Sequence, residues 1–274
     1  MFCDTHCHLF SYYSEETVKE LLKGLTSEFS FVQDIGTKPD DFSSRITLAQ
    51  KLLSKIPESF YFALGIWPES EYIASCEASV NTLEKSILQA KEMGLKVTLG
   101  ECGLDRFWNG PNALTNNRGT TDIYGEEKLF EEQLRLAKKY NLAVIVHGRD
   151  AFEDTLKVID KVGYHKGVIH CYAYGKEEAK AFLERGWYIS FSGNCTFPST
   201  NKKKEQMALL VESVPNERLL LETDAPFLAP VPHRGKENTP LLIKHVYDCV
   251  ANIRATSVEQ LCHLVKENAE RVFS

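Results

Sequence analysis

Near the start of the chain two histidines stand one residue apart, in Asp4-Thr5-His6-Cys7-His8. In an extended strand, side chains alternate faces, so His6 and His8 project together. Two neutral imidazoles side by side can chelate one cation, but they do not complete a site. Four more donors follow short apolar runs further on: Glu101, His147, His170 and Asp224. Each has an ordinary reading alone, as a structural histidine or an ion-pair carboxylate. Together, at the ends of five strands, they point to metal. Four imidazoles and two carboxylates suit Zn²⁺ or another divalent transition metal. Six donors are too many for one tetrahedral ion, and suit two ions about 4 Å apart that share a carboxylate.

The elements that must position these donors alternate. Apolar runs at 2–5, 31–35, 60–64, 96–99, 142–146, 168–169, 187–191 and 218–221 read as strands. Helical patterns fill 14–25, 40–56, 78–92, 126–140, 151–162, 176–185 and 202–213, and two more helices, 240–251 and 257–272, finish the chain. Near-continuous apolar strands belong to a parallel sheet buried on both faces. Eight of them predict an α/β fold, a (β/α)₈ TIM barrel with an extra C-terminal helix, as a single domain over residues 1–274. The rival, an open doubly wound sheet, lacks its glycine-rich phosphate turn after the first strand. In a barrel, the C-terminal strand ends converge on one mouth. The polar stretch 106–125 is predicted to be a long loop, functional or disordered.

Composition narrows the function. The chain has 274 residues, 43% hydrophobic and 26% charged, with net charge −6. That balance argues against coating nucleic acid through a basic surface, but not against gripping a few phosphates at one site. The N-terminus lacks the apolar core of a signal peptide, and no apolar run approaches the ~20 residues of a membrane span. A cytoplasmic protein without membrane association is expected. The eight cysteines form no Cys-x-x-Cys pair and read as reduced, small apolar residues. Cys7, Cys102 and Cys171 adjoin candidate ligands and stay open as thiolate donors, although alternation turns them away.

Several motifs carry a resemblance. They are Asp4-Thr5-His6-Cys7-His8, Gly100-Glu101-Cys102-Gly103-Leu104-Asp105, Val146-His147-Gly148-Arg149, His170-Cys171-Tyr172 and Leu221-Glu222-Thr223-Asp224-Ala225-Pro226. With Phe191-Ser192-Gly193 and Arg234-Gly235-Lys236, in this order over nearly the whole chain, they resemble the TatD family of metal-dependent deoxyribonucleases, within the amidohydrolase-like barrels. The resemblance implies a two-metal hydrolase of phosphodiesters, commonly a DNA exonuclease acting from the 3′ end. It implies that His6, His8 and Asp224 hold one ion, that His147 and His170 hold the other, and that Glu101 bridges them. Zinc is favoured, with manganese or magnesium as alternatives. The family's Gly-Ile-His-Pro is Gly65-Ile66-Trp67-Pro68 here, so Trp67 is expected to alter substrate contacts or stack on a base.

Roles follow as expectations. Asp224 and Glu101 are the catalytic carboxylates, with Asp224 accepting the attacking water's proton. Arg149 and Arg234 are candidate phosphate clamps, since guanidinium forks match phosphate oxygens, although either could form an ordinary salt bridge. Asn238 and His233 are expected to join them from the last loop. Lys202-Lys203-Lys204 hint at nucleic-acid contact or form a solvated face. Asp4 and Glu222 are expected to orient ligating rings. Asp105 either does the same or fixes the long loop. The expected partner is DNA, single-stranded or at 3′ ends, with no obligate protein partner. Two other classes stay open: a sibling hydrolase of small amides, esters or phosphoesters, and a metal-bound scaffold without activity.

Overall fold

The alternation resolves, in a computed structural model of the chain, into eight strands and eleven α-helices among the described residues, which are 1–110, 113 and 119–274. The strands are β1 (Phe2–Cys7), β2 (Phe29–Ile35), β3 (Phe60–Leu64), β4 (Val97–Asp105), β5 (Val144–Arg149), β6 (Gly167–Ile169), β7 (Tyr188–Phe191) and β8 (Leu219–Leu221). The helices are α1 (Leu9–Tyr12), α2 (Glu15–Glu28), α3 (Phe42–Leu52), α4 (Ser70–Ala74), α5 (Cys76–Glu92), α6 (Ile123–Tyr140), α7 (Phe152–Val162), α8 (Lys176–Glu184), α9 (Asn201–Ser213), α10 (Ile243–Ile253) and α11 (Val258–Phe273). The strands form one sheet in chain order, each parallel to the next. This is the TIM barrel that the apolar runs predict, in a single domain. The helices bury one stripe each; α2 buries Val18, Leu21, Leu22 and Leu25, spaced as one helical face. Ser14 caps α2 by accepting from Thr17 N–H. The last helix, α11, packs against β1 and β8. No helix among the described residues is long and apolar enough to cross a membrane.

The barrel closes between its two ends. Just beyond β8, Asp224 N–H donates to His6 O (2.9 Å) and His8 N–H to Ala225 O (2.8 Å), and Cys7 pairs with Ala225. Buried Asp4 stitches this seam. Its Oδ1 accepts from His6 N–H and Thr223 N–H, and its Oδ2 takes the Thr223 hydroxyl at 2.6 Å. Burial lifts its carboxyl to about 7 against these three donors. Asp4 therefore positions backbone rather than an imidazole ring, unlike the expectation from sequence.

Two strands outrun their apolar runs. The run at 96–99 continues as β4 through Glu101 to Asp105, and β5 continues through His147 to Arg149. Gly100-Glu101 reads as the end of the fourth strand, yet the pairing only shifts register between Leu99 and Cys102 and goes on. The glycines are needed for close approach. A Cβ on Gly65 would lie 1.2 Å from Gly100 O, and one on Gly103, whose φ is +144°, would lie 1.9 Å from His147 O. The expected loop 106–125 is shorter at its far end, since Asp122 caps α6 by accepting from Gly125 N–H. Its neck is drawn together by Gly110 N–H to Thr120 O (2.7 Å) and Thr120 N–H to Asn109 Oδ1 (3.0 Å). Residues 111, 112 and 114–118 lie outside the described residues.

One buried ion pair was not anticipated. Arg45, on α3, donates Nε and Nη2 to Asp34 Oδ2 (2.8 and 2.6 Å) and reaches Ala63 O and Asp41. Asp34 Oδ1 accepts from Phe10 N–H, which fixes the start of α1 beside His8. Removing one partner leaves an uncompensated buried charge. Arg45→Met is expected to lower unfolding free energy by about 3–5 kcal/mol. Chemical denaturation measures this, and a loss below ~1 kcal/mol would show that the pair is dispensable.

Candidate metal centre

Three strand ends and two strand interiors bring six donors together at the barrel mouth. His6 lies in β1 and His8 directly after it. Glu101 is inside β4 and His147 inside β5. His170 follows β6, and Asp224 stands three residues past β8. Asp224 and Cys171 hold left-handed φ values of 56° and 45°, so the chain turns sharply at the site. Such conformations are unfavourable for non-glycine residues and collect where function needs them.

The donors form two sets that share one residue. In the first, Glu101 Oε2 lies 3.6 Å from His6 Nε2 and 3.5 Å from His8 Nε2, and Asp224 Oδ1 lies 3.6 and 3.7 Å from the same atoms. In the second, Glu101 Oε1 lies 3.4 Å from His147 Nδ1 and 3.5 Å from His170 Nε2, which are themselves 3.4 Å apart. The two oxygens of Glu101 therefore face different sets. Tetrahedral ligands about 2.1 Å from a cation are about 3.4 Å from one another. The separations match that spacing and are at or beyond the reach of good hydrogen bonds. Among the described residues, buried His6 Nε2 has no hydrogen-bond partner. These atoms fit divalent cations.

The remaining ring nitrogens are mostly held. His147 Nε2 meets Asp105 Oδ2 at 2.8 Å, His170 Nδ1 meets Glu222 Oε1 at 3.3 Å, and His8 Nδ1 meets Ile35 O at 3.2 Å. Such partners set the tautomer that leaves the opposite nitrogen as a donor. Asp105 serves both roles that the sequence left open. Its second oxygen, Oδ1, accepts from Phe107 and Trp108 N–H, fixing the root of the loop. Glu126 Oε1 reinforces that root through Asp105 N–H and Asn109 Nδ2, both at 2.7 Å, while Arg106 pairs with Glu126 and Asp154.

Charge is divided among these groups. Burial pushes Glu101 up, but the imidazoles of His147, His170 and His6 that face it outweigh burial and hold its carboxyl well below the usual range. Burial and the nearby His170 bring His6 down to about 4, so that imidazole is neutral. Burial opposes charge on His147 and His170 too, yet their carboxylate partners raise both.

The cysteines stay outside the donor sets. Cys7 Sγ points to Gln33 O (3.5 Å) and Cys102 Sγ to Ile145 O (3.9 Å). Cys171 Sγ lies against Ser192 Oγ (3.2 Å) and Asn194 Nδ2 (3.6 Å). Burial pushes all three thiols well up, which disfavours the thiolate.

The substrate candidates divide. Trp67 is half-buried with its ring 5.8 Å from that of His147. Arg149 is exposed at the end of β5, with its guanidinium 3.8 Å over the Phe107 ring. Arg234 is exposed and lies 4.4 Å over Phe197. Asn238 needs correction. It is fully buried, its Nδ2 donates to Thr223 O (2.9 Å) and Phe227 O (2.6 Å), and its Oδ1 accepts from Thr239 N–H. It holds the turn around Asp224 instead of meeting substrate. His233 faces His245 at 5.0 Å, and Lys202, Lys203 and Lys204 are exposed at the start of α9. Sequence reading passed over Tyr12 and Phe227, whose rings stand 5.3 and 5.8 Å from His8. The available signal was position, since each lies three or four residues past a donor.

A family model described as "TatD related DNase" matches residues 3–274. The metal-dependent hydrolase YabD of Bacillus subtilis is 31% identical over 278 residues, covering 100% of this chain and 99% of that protein. The metal-dependent hydrolase YcfH of Escherichia coli K12 is 32% identical over 277 residues, covering 98% and 94%. The crystal structure of YjjV, a TatD homologue from Escherichia coli K12, superposes with TM-score 0.80 at 24% identity, covering 99% and 97% of the two chains, a likeness of fold.

The Asp105–His147 contact generates a test. In Asp105→Asn the amide can donate to His147 Nε2 and favour the tautomer protonated on Nδ1, removing that donor. Chelator competition is expected to show one class of bound metal weakened by about 10–100-fold. Unchanged affinity for every bound ion would refute the assignment.

Proposed function

Because this chain belongs to the TatD-related DNase family, we propose that it is a hydrolase that holds two divalent ions and cleaves phosphodiester bonds in DNA, removing nucleotides from the 3′ end. His6, His8 and Asp224 hold one ion, His147 and His170 the other, and Glu101 bridges them. The observation that carries this reading is the division of Glu101, with one carboxylate oxygen in each donor set. Four imidazoles favour zinc or manganese.

Bound divalent cations would acidify an attacking water and draw charge from the phosphoryl group. The chain's own residues do the rest. Asp224, whose side chain is 13% exposed, is the proton acceptor for the attacking water. Asp105 and Glu222 keep His147 and His170 in the donor tautomer. Arg149 and Arg234 bind phosphate oxygens as forks. Trp67 lines the pocket beside His147. The free cysteines fit a reducing compartment such as the cytoplasm.

The test is turnover of 3′-labelled single-stranded DNA by purified protein across Zn²⁺, Mn²⁺ and Mg²⁺, with the His6→Ala/His8→Ala variant as the inactive control. Asparagine tolerates the left-handed φ of position 224. Asp224→Asn is therefore expected to keep most bound metal while turnover falls by about 10²-fold or more. Near-wild-type turnover in that variant would end the assignment to Asp224. Turnover of small amides or esters, with DNA left intact, would replace the nuclease reading.

A further inference from the structure

Two exposed aromatic rings border the donor cluster. Tyr12 is 52% exposed and Phe227 is 47% exposed. Single exposed apolar residues are ordinary. These two form a pair, 5.4 Å apart and edge to face at 74°, and both pack edge-on against His8. The elements that set the donors also set the rings. Tyr12 ends α1, one helical turn past His8, and α1 is tied down by Phe10 N–H to Asp34. Phe227 N–H donates to Asp224 O (2.8 Å), and Phe227 O accepts from Asn238 (2.6 Å). An apolar surface is thus held in register with a charged centre.

That combination asks for a ligand with an anionic group and a flat apolar group side by side. A nucleotide of single-stranded DNA has both: a phosphate for the cations and a base face for the rings. In a duplex a base is held by pairing and stacking, with only the outer face of the terminal pair uncovered, whereas an unpaired end can turn its bases onto the rings without the cost of unpairing. We propose that Tyr12 and Phe227 form a stacking platform for the nucleobase adjoining the scissile phosphate, and that this platform selects single-stranded ends. The proposal rests on the DNA phosphodiesterase reading of the centre. The two side chains bind and position substrate; neither touches the reacting atoms.

The experiment compares wild type with Tyr12→Ala/Phe227→Ala on two 3′-labelled single strands, one complete and one abasic at its last two nucleotides. On the complete strand the double variant is expected to raise KM about tenfold or more, with kcat within about threefold. On the abasic strand the two proteins are expected to share one KM. Tyr12→Phe, which keeps the ring, is expected to retain the wild-type KM on both. Equal losses on both strands, or no loss on either, would overturn the platform alone. Failure of the wild-type protein to cut either strand would overturn the nuclease reading, and the platform with it. Should the alanine variant lose its metal, Tyr12→Leu/Phe227→Leu keeps apolar volume without rings and carries the same comparison.

Discussion

Closure of the barrel is the constraint on which the mouth depends. A parallel barrel leaves no free edge only if its first and last strands meet. Here they meet through backbone bonds between His6, His8, Asp224 and Ala225. Three of these four residues are also donors in the cluster. The contact that completes the fold is thus the contact that brings donors from opposite ends of the chain into one set. Asp4 secures it from behind, and Asn238 braces the turn from the other side. A slip of one residue at this seam would turn His6 and His8 away from Glu101.

Electrostatics ties the centre to its surroundings. Burying Glu101 is costly unless positive charge or hydrogen-bond donors face it. The protein places imidazoles around both of its oxygens and a carboxylate, Asp105 or Glu222, behind two of those rings. The donor atoms nonetheless stay about as far apart as ligands of a common ion, and His6 Nε2 has no hydrogen-bond partner among the described residues. The strands that carry them, β4 and β5, run on past Glu101 and His147 and stay paired as far as Asp105 and Arg149.

Much of this was legible in the sequence, for identifiable reasons. Strands buried on both faces leave unbroken apolar runs, so eight were countable and their order followed. The donors are chemically distinctive and sit beside those runs. Less legible was what depends on distant packing. Gly100-Glu101 looked like a strand end because the close approaches that need glycine there, Gly100 to Ala63 and Gly103 to His147, involve residues distant in sequence. Arg45 resembled any surface residue of a helix, yet it is 1% exposed against Asp34. Asn238 shared a loop with Arg234 and looked equally available, but its amide is consumed by backbone carbonyls. Asp4 looked like a ring orienter, whereas its three donors come from the strand and from Thr223.

The neck of the segment after β4 has a consequence of another kind. The root at Asp105 to Asn109 is fastened to His147 and Glu126, and the chain is drawn together again at Gly110 and Thr120 before α6 begins. Helix α6 therefore enters the barrel wall in a position set by the same residues that hold the His147 ring: an error in placing that helix is an error in aiming a donor.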